Sequence, residues 1–368
     1  MMKKIFLFIL FFVFSAWCGI KEEKLPANVD FTNTILFAAQ IDDKYELLRP
    51  QIFAVKVDSP HTLYQLTDTR DPIEDPVWLL DGSGIVFLKR RFDDSCLRRL
   101  TTYGVGDWQD NPDIYIIDTS GTRRIIRCWE NFSRGKREKY KELEGGIFSI
   151  APTNSGKIML QTSGYKFIVH DTVQAEISFD VIKVNPELSY IWGEFALSPD
   201  EEEIVFATQL DEDRKKIPYP TPDSINRGAY RNSFKEVFVM RIEDGVYKRL
   251  TYNNLPDNSP CLSNDGKKIY FSRRTDWSVK RDSLRFESDI FVMDSDGKNQ
   301  KNLTNSPNTD NLAPKVSPDG KLIAYISEKM EYDKYTEIWI MNNDGTNKRK
   351  VIGLHAYNCG GISWYPKK

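Results

Sequence analysis

Apolar positions in this chain come in short runs of β-branched and aromatic residues, each five or six long and set off by an Asp-Gly or Ser-Gly pair. Leu322-Ile-Ala-Tyr-Ile-Ser327 follows Ser317-Pro-Asp-Gly-Lys321, and Lys268-Ile-Tyr-Phe-Ser272 follows Ser263-Asn-Asp-Gly-Lys267. Glu203-Ile-Val-Phe-Ala-Thr208 stands behind Ser198-Pro-Asp200, Gly84-Ile-Val-Phe-Leu-Lys89 behind Leu80-Asp-Gly82, and Lys157-Ile-Met-Leu-Gln-Thr162 behind Ser155-Gly156. A second run and a second turn come next: Asp113-Ile-Tyr-Ile-Ile-Asp118, Glu236-Val-Phe-Val-Met-Arg241, Asp289-Ile-Phe-Val-Met-Asp294 and Glu337-Ile-Trp-Ile-Met341. Leu-Thr then recurs at Leu66-Thr67, Leu250-Thr251 and Leu303-Thr304, and ten or eleven residues after each Leu comes the Pro that opens the next copy, Pro76, Pro260 and Pro314.

Runs of this length and composition are half-buried strands, and Asp-Gly supplies the positive φ of a tight hairpin turn. One repeat is therefore four short strands. A lone sheet of this kind cannot cover both apolar faces, whereas sheets stacked radially cover each other, which predicts an all-β, six-bladed β-propeller of four-stranded antiparallel blades. First strands are expected near Pro76, Gly146, Phe195, Pro260 and Pro314. The orphan run Gly361-Ile-Ser-Trp-Tyr-Pro366 has the look of a first strand with no blade behind it. Thr34-Ile-Leu-Phe-Ala-Ala39 has the look of a second strand with none before it. Pairing of strand 361–366 with the strands of 34–66 is expected to close the ring and leave no free edge.

The Ser-Pro-Asp-Gly-Lys signature at Ser317, with its variants at Ser263 and Ser198, resembles the PD40, or WD40-like, repeat of the TolB-like propellers, over about residues 30–368. The resemblance implies the fold more than a function, because such blades occur in envelope scaffolds, in prolyl-oligopeptidase-like peptidases and in some sugar lyases. The small α/β domain that precedes the propeller of TolB has no counterpart between Gly19 and Asp30. No G-x-S-x-G elbow of the peptidases occurs in the chain.

Lys3 and Lys4 precede an unbroken apolar run from Ile5 to Phe14, then Ser15 and Ala16, the plan of an export signal. Residues 1–18 are read as that signal, 19–30 as a linker and 31–368 as the propeller. Cys18 resembles the modified Cys of a bacterial lipoprotein signal; lipidation there and plain cleavage nearby both stay open. Either places the mature chain in the periplasm or outside the cell. Loss of Lys3 and Lys4 makes a formal charge of −2 two units more negative, which argues against a nucleic-acid partner.

Little in the chain suggests catalysis. The three histidines, His61, His170 and His355, fall in differently placed elements, and Cys96, Cys128, Cys261 and Cys359 have no metal-binding spacing, so no metal, cofactor or catalytic residue is assigned. Asp-rich turns such as Asp294-Ser-Asp296-Gly297 are read as turns whose Asp bonds its own backbone, ahead of a calcium loop.

Loop lengths suggest a binding face instead. One side of the ring is built of terse Asp-Gly and Ser-Gly turns; the other carries the insertions 91–112, 209–235 and 273–288 within blades and 129–145 between them. These are rich in Arg and aromatics, and Trp108, Arg231, Arg274 and Trp277 are the candidates for contact with a protein or peptide partner in the cell envelope. Stacking of the same aromatics on a glycan, in a carbohydrate-binding or carbohydrate-cleaving propeller, is the alternative, and solvated loops with no binding role are a third. Asp75, Glu194, Asn258, Asn311 and Asn358 are expected at the channel mouth. A monomer is expected, attached to a membrane only through a lipid at Cys18.

Overall fold

The structure is a computed structural model that describes residues 24–40, 50–59, 62–69, 71–89, 112–126, 147–162, 166–171, 179–184, 187–189, 194–210, 212–213, 234–253, 255–276, 287–329, 335–355 and 357–366. Apart from the helical residues 212–213, the secondary-structure elements among them are strands. β1 (Thr34–Gln40), β2 (Gln51–Lys56) and β3 (Leu63–Gln65) form the first sheet, and β4 (Ile73–Trp78), β5 (Gly84–Lys89), β6 (Asp113–Asp118) and β7 (Gly121–Ile126) the second. The third holds β8 (Ile147–Pro152), β9 (Lys157–Thr162), β10 (Lys166–Asp171) and β11 (Phe179–Lys183). In the fourth, β12 (Leu188–Ser189) and β13 (Phe195–Leu197) pair in succession with β14 (Glu203–Leu210), which is followed by β15 (Glu236–Arg241) and β16 (Tyr247–Arg249).

The remaining strands are β17 (Asp257–Leu262), β18 (Lys268–Asp276), β19 (Glu287–Asp294), β20 (Lys301–Asn302), β21 (Thr309–Val316), β22 (Leu322–Lys329), β23 (Tyr335–Asn342), β24 (Arg349–His355) and β25 (Tyr357–Trp364). β17–β20 and β21–β24 are two four-stranded halves of one eight-stranded sheet, joined by the single parallel bridge Ser288↔Asp310. β25 returns to the first sheet, where Ile35↔Trp364 and Leu36↔Ser363 pair antiparallel, so the C-terminal run supplies an inner strand to the N-terminal ones.

Cross-strand aromatic pairs sit at matching places in the second and third strands of the repeat: Phe37↔Phe53, Phe87↔Tyr115, Phe206↔Phe238, Phe271↔Phe291 and Tyr325↔Trp339. Such pairs bury large area on a pleated surface and fix register. Apolar seams then join sheet to sheet. Leu36, Ile52, Trp78 and Phe87 pack between the first and second, Val86, Ile114, Ile150 and Leu160 between the second and third, and Met159, Ile182, Phe206 and Met240 between the third and fourth. Val205, Val237, Ile269 and Phe271 continue to β17–β20, Tyr270, Ile290, Ile323 and Met341 to β21–β24, and Ala324, Ile338, Ile35 and Trp364 lead from there to the first sheet.

The turn signature is a hydrogen-bond relay. The Ser198, Ser263 and Ser317 hydroxyls each donate to the Asp two residues on, at 2.5, 2.7 and 2.7 Å, and accept the N–H five residues on, at 2.9 Å in each case. The Asp in turn accepts a backbone N–H two residues further, as Asp296 does from Lys298 at 3.0 Å, so these turns bond themselves as expected.

Three boundaries differ from the sequence reading. Pro76, Pro260 and Pro314 do not open their strands, which begin three to five residues earlier at Ile73, Asp257 and Thr309. Each Pro sits at a β-bulge, where the missing N–H leaves no ladder bond unmade. Residues 273–276 lie in β18 and not in the insertion. Arg273 holds them there, since its guanidinium grips buried Asp257 at 2.6 Å and lies 5.1 and 4.9 Å from the centroids of Phe271 and Phe291. The last part of the stretch read as a linker is packed: Leu25 is buried and its N–H donates to Asp118 O at 2.8 Å, and Val29 packs against the same apolar seam.

Candidate functional site

Four of the inner strands share one backbone device. Asp75, Ser259, Ala313 and Gly361 have φ of 46°, 48°, 52° and 62°, each at a bulge where an extra residue enters the inner strand. An L-residue in this region costs on the order of 1 kcal/mol, so the bend is held by its surroundings. Ala313 N–H donates to Ser272 Oγ and Trp78 N–H to Ser363 Oγ, both at 3.2 Å, tying the bulges to neighbouring strands.

Beyond the bulges the inner edges meet. Lys315 Nζ on β21 lies 2.9 Å from Glu194 Oε2 ahead of β13, although 121 positions separate them in the chain. Burial lowers the pKa of Lys315, but Glu194, the Cys261 thiol and Asp75 outweigh it and leave the ammonium above its ordinary value. Burial pushes the free Cys261 thiol up, with Lys315 opposing. Lysine is thus the hub of the group, and the sequence reading missed it. Its position, one residue after a repeat Pro where the other copies have Val77 and Cys261, was the available signal.

A second constellation explains the recurring Leu-Thr. The Thr67, Thr251 and Thr304 hydroxyls accept the N–H of Ile52, Val237 and Ile290, all at 2.9 Å. They bond in turn to the polar residue directly before that N–H on the third strand: Thr67 to Gln51 Oε1 at 3.0 Å, Thr304 to Asp289 Oδ1 at 2.6 Å, and Thr251 to Glu236. An N–H two residues past the Thr completes each clasp, from Thr69, Asn253 and Ser306 at 2.9, 2.9 and 3.0 Å. Such buried, fully bonded polar groups lock the fourth strand to the third.

At the opposite strand ends from the Asp-Gly turns, Arg274, Ser288, Asp310 and Glu328 stand side by side across β18, β19, β21 and β22. Burial pushes the Asp310 carboxyl up to about 6, with Ser288 and Arg274 opposing and Glu328 adding to the rise. Burial also brings Arg274 down to about 10, against the pull of Asp310. Arg274 was expected in a loop; it lies in β18, at the base of the 277–286 segment.

Of the other candidates, Cys18, Trp108, Arg231 and Trp277 lie outside the described residues, as do Cys96, Cys128 and His61. Asp75 and Glu194 do share the Lys315 group. Asn258 is half-buried on β17, and for Asn358 only the backbone, in β25, is described. Asn311 is buried, and its Nδ2 donates to Thr309 Oγ1 at 3.0 Å and lies 3.4 Å from Asp289 Oδ1. Strand alternation turns it toward the preceding sheet, where the Asp289 carboxylate needs donors. His170 lies in β10 and His355 ends β24, so they do not come together in one element.

No family model matches the chain. Among solved structures, TolB from Acinetobacter baumannii superposes with a TM-score of 0.59 and 18% identity, over 92% of this chain and 68% of that one. The putative TolB from Agrobacterium tumefaciens gives 0.56 and 14%, over 89% and 91%, and a chain of a nidogen/laminin complex gives 0.52 and 11%, over 90% and 97%. These likenesses define the class: the chain has an all-β, TolB-like β-propeller fold.

Proposed function

We propose that this chain is a non-catalytic propeller of the cell envelope that presents its long-loop side to a protein partner. The observation that carries the reading is the asymmetry of its two sides. On one, successive turns are bonded to one another: Asn264 Nδ2 donates to Ser317 O and Pro318 O at 3.0 and 2.9 Å, and Asn154 Nδ2 to Pro199 O at 3.2 Å. From the other depart the segments that connect β5 to β6, β14 to β15 and β18 to β19, which carry Trp108, Arg231 and Trp277. Variable loops on a rigid scaffold are where recognition residues are usually displayed.

We read the scaffold as a closed ring of six blades. Support comes from the β25–β1 pairing, from the six apolar seams that link each repeat to the next and the last to the first, and from the Lys315–Glu194 contact across the inner edges. The non-catalytic reading rests in part on the fate of two buried acids, since Glu236 and Asp257 are consumed in bonds to Arg249, Arg273 and Asn253. The envelope location rests on the Lys3-Lys4 and Ile5–Phe14 leader, and a protein partner is in keeping with the nidogen/laminin assembly in which a similarly folded chain occurs.

The test compares pull-downs from source-cell envelopes by the mature chain and by a folded variant with Trp108, Arg231 and Trp277 changed to Ala. A protein captured by the parent and lost with the variant supports the reading. Identical captures, or retention of glycans by both, overturn it.

A further inference from the structure

Glu236 and Asp257 set two buried carboxylates against one amide at the seam between the fourth sheet and β17–β20. Asn253 Nδ2 donates to Glu236 Oε2 at 3.1 Å and to Asp257 Oδ2 at 3.0 Å. Only 7% of the Glu236 side chain and none of Asp257 is exposed. Arg249 from β16 reaches Glu236 Oε1 at 3.1 Å, and Arg273 from β18 holds Asp257 through Nε at 2.6 Å and Nη2 at 2.8 Å. Arg249 also lies 2.6 Å from Asp213, which belongs to the segment between β14 and β15. Lys235, beside Glu236 in the chain, accepts the Asp257 N–H at its carbonyl at 2.8 Å.

Other seams build this spot differently. Asp257, Asn311 and Ile73 are matched in register, each two residues ahead of a left-handed residue, at Ser259, Ala313 and Asp75. Asn311 faces Asp289, an acid against an amide, and the clasp residue of the sheet preceding Ile73 is Gln51, an amide against an apolar side chain. Of these three seams, only Glu236–Asp257 opposes acid to acid.

We propose that this carboxylate pair is a proton-binding site that makes the seam sensitive to pH, holding one proton in acid and releasing it to solvent as the medium turns alkaline. Burial first, and then the Asp257 charge, push Glu236 up to about 7, against the bonds from Thr251, Asn253 and Arg249. The folded chain therefore binds a proton that an ordinary unfolded Glu has already lost. Folded stability falls as pH rises from the ordinary Glu value toward about 7 and levels off above it. In the ionised state Arg249 divides its charge between Glu236 and Asp213, so the change is felt at the base of the β14–β15 segment. None of this depends on the protein-partner proposal.

Thermal unfolding of the full chain between pH 5 and 8.5, for the parent, Glu236→Gln and Asp257→Asn, is the test. The parent should lose about 3–6 °C more than Glu236→Gln across the interval, with the difference growing up to about pH 7 and flat above it. Asp257→Asn, which recreates the acid–amide pair of the next seam, should flatten the same portion. A pH slope shared by the parent and both variants, or a parent-minus-variant difference already flat from pH 5 upward, overturns the proposal. Should either variant fail to fold, carboxyl NMR of the parent replaces it: a Glu236 titration near neutrality supports the proposal, and one in the ordinary range overturns it.

Discussion

Gly361 stands where the inner strand of the first sheet passes closest to that of the second. A Cβ there would meet Pro76 Cδ at 2.6 Å and Asp75 Cα at 2.9 Å, and the residue has φ of +62°. Gly361→Ala is expected to destabilise by about 3 kcal/mol or more, because backbone must move. Gly156→Ala is its control: φ is +78° but nothing lies within 4 Å of the added methyl, so only about 1 kcal/mol should be lost. Equilibrium denaturation of the two variants checks the contrast. The Leu-Thr clasp gives a second prediction at this scale. Thr304→Val strips Asp289 of one donor and Ile290 N–H of its acceptor and should cost about 1–3 kcal/mol, whereas Thr304→Ser should keep most of it. The Thr was legible in the sequence as a repeat feature. Its chemistry was not, because the acid it bonds lies about fifteen residues earlier, on another strand.

Among elements, β25 is the one whose sequence spoke most clearly. Gly361-Ile-Ser-Trp-Tyr has the pattern of an inner strand, and it pairs with β1 as that pattern required. Trp364 is buried in the seam with the last sheet, and its Nε1 donates to Lys315 O at 2.9 Å. Trp364→Ala should therefore lose about 3–5 kcal/mol of stability, and Trp364→Phe less, readable by denaturant midpoints. The Pro residues were misread as strand openers because a bulge has no one-dimensional mark apart from them. Period-two alternation simply slips by one residue at 74–77, 258–261 and 312–315. Arg273 was misplaced for a related reason: a basic run beside Trp277 reads as loop until the buried Asp257 that neutralises it comes into view.

At the scale of the whole molecule, repeats announced the architecture, while contacts between distant repeats stayed hidden. Nothing in local pattern joins Glu194 to Lys315, since the pairing arises only when inner edges are brought face to face. A double-mutant cycle with Glu194→Gln and Lys315→Met should return a coupling of about 1–3 kcal/mol; additivity would show that the two edges do not hold each other. The long segments that carry Trp108, Arg231 and Trp277 were legible as insertions from repeat spacing alone, yet spacing gives no account of what their side chains touch. One packed feature outside the repeats constrains how such a molecule can be hung. Leu25 is pinned to Asp118 O at the hairpin between β6 and β7, on the same side as the Asp-Gly turns. A group attached at Cys18 would stray no more than about 25 Å from that point, the reach of seven extended residues. A chain tethered by its N-terminus would thus be moored by its turn side, and the side bearing the long segments would be left to swing outward, toward whatever passes by.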